Sequence, residues 1–329
     1  MKLFRLNILA SVFLTGALCV PAWAARTALP GTVNYFEGHA AIGRQSLAPQ
    51  SIGSTMWQPG ETLTTSKGKV EVLLTPGVFL RLGEEGSARM ISSGLTDTRV
   101  ALESGQALVE VTEIHRENNL RITENGVSAQ LVKTGLYGFD ARQGQVRVFS
   151  GKALVLDGDR SVTVKGGHQA TVTSRDNIHS QKFDKQEYEQ SDLYRWSRLR
   201  SSYVAEANID AARLYVANGW YGPGWVGPGW YWNPWFGTYT FIPADGIFWS
   251  PFGWGFYSPL FVVRAPVVFV GHPLVPHQFS AFVHHPVSVN RGVGAGFQGA
   301  SRAPLVRAPA VRGVTPPTPA ARPHRPGGA

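Results

Sequence analysis

Between residues 31 and 173 the chain alternates apolar and polar residues with the two-residue period of half-buried β-strands. The clearest example is the segment 61–82, ETLTTSKGKVEVLLTPGVFLRL, where the alternation from Val70 to Leu74 stops at a Thr-Pro-Gly turn and then resumes. Two alternating runs joined by such a turn predict a β-hairpin.

The same pattern recurs in short runs bounded by Gly, Asn, Asp or Ser, and turn dipeptides such as Asn125-Gly126 and Asp157-Gly158 separate them. Many short strands with regular turns predict a mainly β fold, a two-sheet sandwich or roll of antiparallel strands. Besides the hairpin, the predicted strands are 32–36, 39–44, 88–92, 99–103, 107–112, 120–124, 128–133, 136–141, 145–149, 152–156, 161–164 and 169–173.

Charged residues stand between apolar ones within several of these runs. Glu110, Arg121 and Arg147 each lie between two aliphatic neighbours. We therefore expect these three side chains to face water and their neighbours to face the core. A one-residue slip of register would bury the charges at a cost of several kcal/mol (~3 or more), so the pattern also fixes the strand pairing.

From Phe183 to about Val216 the apolar period changes to three and four residues, which predicts an amphipathic helix within 180–217. Asp184 near its start and Arg213 near its end suit the helix dipole. The stripe consists of Leu193, Trp196, Arg200, Tyr203 and Ala207. Its expected role is structural, either lying on the sheet or spacing the β-domain from the C-terminal region.

Composition changes after residue 218. Seven of the ten tryptophans and no basic residue lie between 219 and 263, which marks 218–290 as an aromatic region rich in Gly and Pro. Its prolines would break a membrane-spanning helix, so no transmembrane span is expected in the mature chain. The segment 291–329 has no acid and one aromatic residue, so it is predicted to be a disordered tail rich in Pro, Ala and Arg.

The first 24 residues carry two basic residues, an apolar run and the small-x-small site Ala22-Trp23-Ala24. This is the pattern of a secretory signal peptide cleaved after Ala24. The single cysteine, Cys19, lies within it, and Leu18 before it is too large for a lipoprotein signal. We expect an exported protein without disulfides, in the periplasm or alternatively at the cell surface or secreted.

The ordered series GETLTTSKGKVEVLLTPGVFLRL, RVALESGQALVEV, KTGLYGFDA and QVRVFSGKALV resembles the FecR domain. This is a periplasmic β-domain of iron-transport regulators and of many exported bacterial proteins. The resemblance covers roughly 31–173 and implies a β-domain at 25–175, while the run DLYRWSRLRSSYVAEAN resembles a helix that follows it in exported FecR-like proteins. FecR regulators usually carry a cytoplasmic anti-sigma segment and a transmembrane helix before this domain. A signal peptide stands there in this chain, which puts signalling to a sigma factor in doubt.

No catalytic motif accompanies these patterns. The mature chain has no cysteine nucleophile, G-x-S-x-G elbow, H-E-x-x-H pair or phosphate loop. The glycine fingerprint at 294–299 lacks the strand and helix that a dinucleotide site needs. Asp157 and Asp159 are interpreted as turn residues. We expect no enzyme, no catalytic residue and no cofactor.

The histidines at 272, 277, 284 and 285 are the one cluster with metal-ligand character, since imidazole binds zinc, copper or nickel. They lie in a Pro-rich stretch without carboxylates or thiols beside them. They are therefore interpreted as exposed loop residues, and no metal site is predicted.

The aromatic region is the strongest functional candidate, because an indole ring can stack on sugars or insert at a membrane interface. The candidate contact residues are Trp220, Trp225, Trp230, Trp232, Trp235, Trp249 and Trp254. The alternative is that they pack on one another and on the helix as a second core.

The formal net charge of +9 arises mainly after Trp220, where seven arginines face one acid, Asp245. Such a tail could bind an anionic surface or only solubilise the chain, and no nucleic-acid partner is expected.

These observations favour a non-catalytic, FecR-like binding or interaction module of the bacterial cell envelope, with an envelope protein or polysaccharide as its partner. The first alternative, implied by the resemblance, is a periplasmic regulator in iron-siderophore or sigma-factor signalling. The second alternative is an envelope enzyme that acts on glycans and uses the tryptophans as a sugar platform.

Overall fold

The computed structural model describes residues 28–172, 178–217 and 229–266, and the predicted mainly β fold is confirmed. The predicted signal peptide, Trp220, Trp225, the histidine cluster and the predicted disordered tail lie outside these residues. The strands are β1 Val33–Ile42, β2 Gln45–Ser46, β3 Thr62–Leu73, β4 Val78–Leu82, β5 Ser87–Gly94, β6 Asp97–Ser104, β7 Gln106–Val111, β8 Leu120–Glu124, β9 Val127–Leu131, β10 Gly135–Asp140, β11 Gln145–Ser150, β12 Lys152–Asp157, β13 Arg160–Lys165, β14 His168–Val172, β15 Ile178–Lys182, β16 Gly229–Asn233, β17 Thr238–Ile242, β18 Ile247–Trp249 and β19 Gly255–Tyr257, and the helices are α1 Lys185–Glu189 and α2 Asp192–Ala217.

Backbone hydrogen bonds join strands β1 to β15 into one 15-stranded sheet. Its order is β13-β12-β9-β8-β6-β5-β3-β4-β7-β10-β11-β14-β15, and β1 pairs with β2 and β3. The pairs are antiparallel with one exception, β6 with β8, which run parallel. This exception arises because β7 leaves β6 to pair with β4 and β10 before the chain returns to form β8.

The predicted hairpin is the pair β3 and β4, in which Glu71 lies opposite Arg81 and Val72 opposite Leu80. The turn closes where the Val78 N–H donates to the Thr75 carbonyl at 2.9 Å. Gly77 occupies this turn with a φ of +79°, a conformation that costs glycine little and other residues more.

The inward-facing apolar side chains of the sheet form a single cluster. It includes Val72 and Leu80 near the middle of the sheet and Val155 and Val164 near one end. Because strands that are remote in sheet order share this core, the sheet curls around it. Packing of this core holds the β-domain together, as expected for a domain without disulfides.

The helical segment lies where the sequence predicts it but is divided. β15 occupies 178–182, and α1 begins at Lys185 with Asp184 as its cap, since the Asp184 Oδ1 accepts from the Gln186 N–H at 2.9 Å. A break then separates α1 from the 26-residue α2. Neither helix in the described residues combines the length and the apolar composition needed to cross a bilayer.

Glu124 ends β8, and its side chain follows Leu120 and Ile122 into the protein interior, where it is 1% exposed. No side chain among the described residues is hydrogen-bonded to either of its carboxylate oxygens. Burial, together with the charge of Asp140, raises the pKa of Glu124 to about 8 although Arg147 opposes the shift. The carboxyl group is therefore mostly protonated at neutral pH.

We expect Glu124→Gln to stabilise the protein in a pH-dependent way. Since the folded pKa of about 8 lies above the ordinary value of 4.5, the stability that Glu124 contributes is full below pH 4.5 and is lost as the pH rises through 8. The free energy of unfolding of the variant should equal that of the wild type near pH 4 and exceed it by on the order of 2–4 kcal/mol near pH 9. Urea unfolding at both pH values measures this.

The exposed Glu117→Gln serves as the matched control and should change stability little at either pH. An equal effect of Glu124→Gln at pH 4 and pH 9, or a loss of stability at pH 9, would contradict the placement of Glu124 as an unpaired interior carboxyl group.

Candidate functional site

Two small hairpins follow helix α2, β16 with β17 and β18 with β19. We call residues 192–266, as far as the structure describes them, the cap, because they cover the outer face of β3 and β4. The ring centroid of Phe79 in β4 lies 5.0 Å from that of Trp230 and 6.1 Å from that of Phe256. The apolar cluster between cap and sheet contains Ala28, Leu73, Phe79, Val204, Ala205, Trp230, Tyr239, Phe241 and Phe256.

Three charged side chains lie beneath the cap on the same outer face. Glu71 in β3, Arg81 in β4 and Glu110 in β7 are each 0% exposed. The Arg81 Nε donates to Glu71 Oε2 at 2.8 Å, and its Nη1 donates to Glu110 Oε2 at 2.6 Å. One guanidinium group therefore bridges two carboxylates across three neighbouring strands.

The cap supplies further partners of these carboxylates. The Arg200 Nη2 in α2 donates to Glu71 Oε1 at 2.9 Å. The Ser201 Oγ donates to Glu110 Oε1 at 2.8 Å, and the Ser250 Oγ from the second hairpin donates to the same oxygen. We call Glu71, Arg81, Glu110, Arg200, Ser201 and Ser250 the buried charge network.

Two asparagines add hydrogen bonds that join the sheet and helix α2 to backbone groups of the two hairpins. Asn34 in β1 donates from Nδ2 to Glu71 Oε1 at 2.9 Å and accepts the Tyr239 N–H of β17 at 2.8 Å. Asn208 in α2 donates to the Phe241 carbonyl at 2.9 Å and accepts the Tyr257 N–H at 2.7 Å. The helix and both hairpins are therefore held to the sheet by specific hydrogen bonds as well as by apolar contact.

The network is electrically balanced, with two carboxylates and two guanidinium groups. Burial alone would raise the pKa of Glu71, but the charges of Arg200 and Arg81 outweigh it and lower the pKa to about 2. Glu71 is thus ionised at neutral pH. Removal of one charged member would leave an opposite charge buried without its partner, which is costly.

The sequence predicts that Glu110, Arg121 and Arg147 face water, and this prediction is wrong for two of the three. Glu110 is fully buried by the cap, and Arg147 is buried under α1, where its guanidinium carbon lies 3.9 Å from the centre of the Tyr188 ring. Arg121 is half-exposed, on a part of the sheet that the cap does not reach. The strand alternation separates the two faces correctly, but it does not show that helices and hairpins cover one of them.

The tryptophans that the sequence singles out differ in exposure. Trp230 is 7% exposed and packs against Phe79, and Trp232 is half-buried. Trp235, Trp249 and Trp254 are 75%, 60% and 38% exposed. The described part of the aromatic region therefore has both a packed side and a surface side.

The other sequence-based candidates form no reactive group. Asp157 and Asp159 flank the turn between β12 and β13, in which Asp157 lies opposite Arg160. Within the described residues, no three His, Cys, Asp or Glu side chains come together as a metal site requires.

No protein-family model matches the sequence, and none of the curated proteins matches it. Solved structures similar to this chain include two crystal structures titled as a "putative anti-sigma factor" from Parabacteroides distasonis. One has 16% identity, covers 39% of this chain and 62% of that chain, and has a TM-score of 0.34. The other has 17% identity, coverages of 38% and 60%, and a TM-score of 0.33. The match spans less than two thirds of either solved chain, and similarity at this level does not inform the function.

We expect Arg81→Met to destabilise the protein strongly, by roughly 3–5 kcal/mol, because it leaves Glu110 and part of Glu71 buried without a cationic partner. Chemical denaturation followed by circular dichroism measures the loss. The matched control is Arg89→Met, since Arg89 pairs with Glu103 at 2.7 Å on the exposed surface. Removal of such a pair should cost at most about 1 kcal/mol. Similar losses for the two variants would contradict the role of the network.

Proposed function

We propose that this protein is a non-catalytic, FecR-like binding module exported to the bacterial cell envelope, where exposed tryptophans of the cap contact an envelope component. The proposal rests on the exposed side chains of Trp235, Trp249 and Trp254. All three lie on hairpins that are anchored to the sheet. Large aromatic side chains exposed on a folded surface are typical of interaction sites.

The attachment of each hairpin supports this proposal. Ser250, next to Trp249, belongs to the buried charge network. Asn233 accepts the Trp235 N–H at 3.0 Å and donates to the Ala207 carbonyl of α2 at 3.0 Å. Because the backbone beside each indole is fixed before binding, little conformational entropy is lost when a ligand binds.

The way in which the buried ionisable groups are paired also favours a non-catalytic role. The carboxylates of Glu71 and Glu110 are occupied by Arg81, Arg200 and two serine hydroxyls that join separate elements. Groups engaged in this way hold the fold together, and both carboxylates are fully buried by the residues that the structure describes. We therefore assign them to cohesion of the cap.

A regulatory role of the FecR type is the second candidate, favoured by the order of the FecR-like motifs along β3–β4, β6–β7, β10 and β11–β12. A neighbouring sigma-factor gene together with a TonB-dependent receptor gene would support it. If both genes were absent, the binding-module proposal would be favoured over the regulatory one.

The binding proposal is tested with the full mature protein and purified peptidoglycan and exopolysaccharide, using co-sedimentation and tryptophan fluorescence. We expect the triple variant Trp235→Ala, Trp249→Ala and Trp254→Ala to bind at least about tenfold more weakly than the wild type, as loss of aromatic anchors does. Its thermal stability should change little, because these side chains are exposed.

Val263→Ala is the matched control, since Val263 is an apolar cap residue that is 77% exposed. Unchanged binding by the triple variant, or no binding of either polymer by the wild type, would contradict the proposal. Release of shorter glycan chains during the incubation would instead favour the enzyme alternative.

A further inference from the structure

The tip of the second hairpin presents two tryptophans from one tight turn. Trp249 precedes the turn and Trp254 follows it, and the Ser250 N–H donates to the Trp254 carbonyl at 2.7 Å. The cross-strand partner of Trp249 is Gly255, which has no side chain. The Trp249 side chain is 60% exposed.

Helix α2 contacts this hairpin and carries a cation on the same stripe. The Tyr194 ring centroid lies 5.3 Å from that of Phe252 in the turn, and the Ser201 Oγ lies 3.0 Å from the Ser250 Oγ. Arg198 is four residues after Tyr194 and three before Ser201, so helical geometry puts it on the stripe that contacts the hairpin. It is exposed, and it forms no salt bridge with any residue that the structure describes.

The nearby acidic group is already engaged. Glu189, at the end of α1, acts on the Tyr194 hydroxyl and adds to the rise that burial causes in the pKa of Tyr194. The first hairpin differs in charge, because Asn233 beside Trp235 donates to Asp210 Oδ2 at 2.8 Å. The hairpin that carries Trp249 and Trp254 thus meets a helix stripe with an exposed cation, whereas Asn233, two residues before Trp235, is hydrogen-bonded to an anion.

We infer that the tip formed by Trp249 and Trp254, together with Arg198, is a subsite for an acidic polysaccharide. The indole faces stack on sugar rings, and the guanidinium group binds the carboxylate or phosphate of the polymer. This inference rests on the proposed function and specifies its ligand class. Trp235, which follows β16 on the other hairpin, is not part of this subsite.

The test uses the full mature protein with polygalacturonate as the acidic polymer and dextran as the neutral one, measured by affinity gel electrophoresis and tryptophan fluorescence. We expect Trp249→Ala, Trp254→Ala and Arg198→Gln each to weaken polygalacturonate binding about tenfold or more. The binding that Arg198 supports should also weaken as salt is added.

Matched controls separate the tip from the rest of the surface. Val263→Ala removes an exposed apolar side chain of the cap that is not on the hairpin, and Arg195→Gln removes an exposed arginine one residue after Tyr194. Both should bind polygalacturonate like the wild type. Trp235→Ala should weaken this binding less than Trp249→Ala does. The arginine-rich C-terminal segment is the same in every variant, so the differences between variants report the tip.

The outcomes distinguish this inference from the proposed function. Equal affinity for dextran and polygalacturonate, or wild-type binding by Arg198→Gln, overturns the acidic-ligand assignment while tryptophan-dependent binding of envelope polymers stands. Equal losses in Trp235→Ala and Trp249→Ala overturn the assignment to the tip. Binding of anionic phospholipid vesicles but of neither polysaccharide overturns the ligand class.

Discussion

The buried guanidinium group of Arg81 is the constraint on which the structure depends. It lies fully buried between the carboxylates of Glu71 and Glu110, at a place where charges cannot remain without partners. The sheet alone supplies one arginine for two glutamates, and the balance is completed by Arg200 of the helix. The β-domain therefore reaches electrical balance on this face only when the cap is docked.

Apolar packing and the charge network have different consequences for the cap. Burial of Phe79 against Trp230 and Phe256 supplies a non-directional driving force for docking. The hydrogen bonds of Ser201 and Ser250 to Glu110 are directional, so they select one position of helix and hairpin. Trp249 and Trp254 lie on the hairpin that Ser250 fixes. The buried hydrogen bonds therefore also set the position of this part of the proposed contact surface.

Much of the β-domain could be predicted from the sequence, because two-residue alternation and turn residues are local signals. The hairpin at 61–82 and the strand at 120–124 are examples. The parallel pairing of β6 with β8 and the burial of Glu110 could not be predicted, since both depend on distant segments. One signal was present but ambiguous: Arg200 lies within the otherwise apolar helix stripe, which fits either a snorkelling side chain or a buried partner.

The central claim, that cap and sheet form one cooperative unit, is tested most directly by native-state hydrogen exchange measured by NMR. The Tyr239 amide in β17, which donates to Asn34, should open with a free energy close to that of the β3 and β4 ladder amides. The expected result is therefore a shared opening free energy near that of global unfolding. Exchange of the β17 and β19 amides at a much lower free energy, with β3 and β4 still protected, would show that the cap opens independently and would contradict the account.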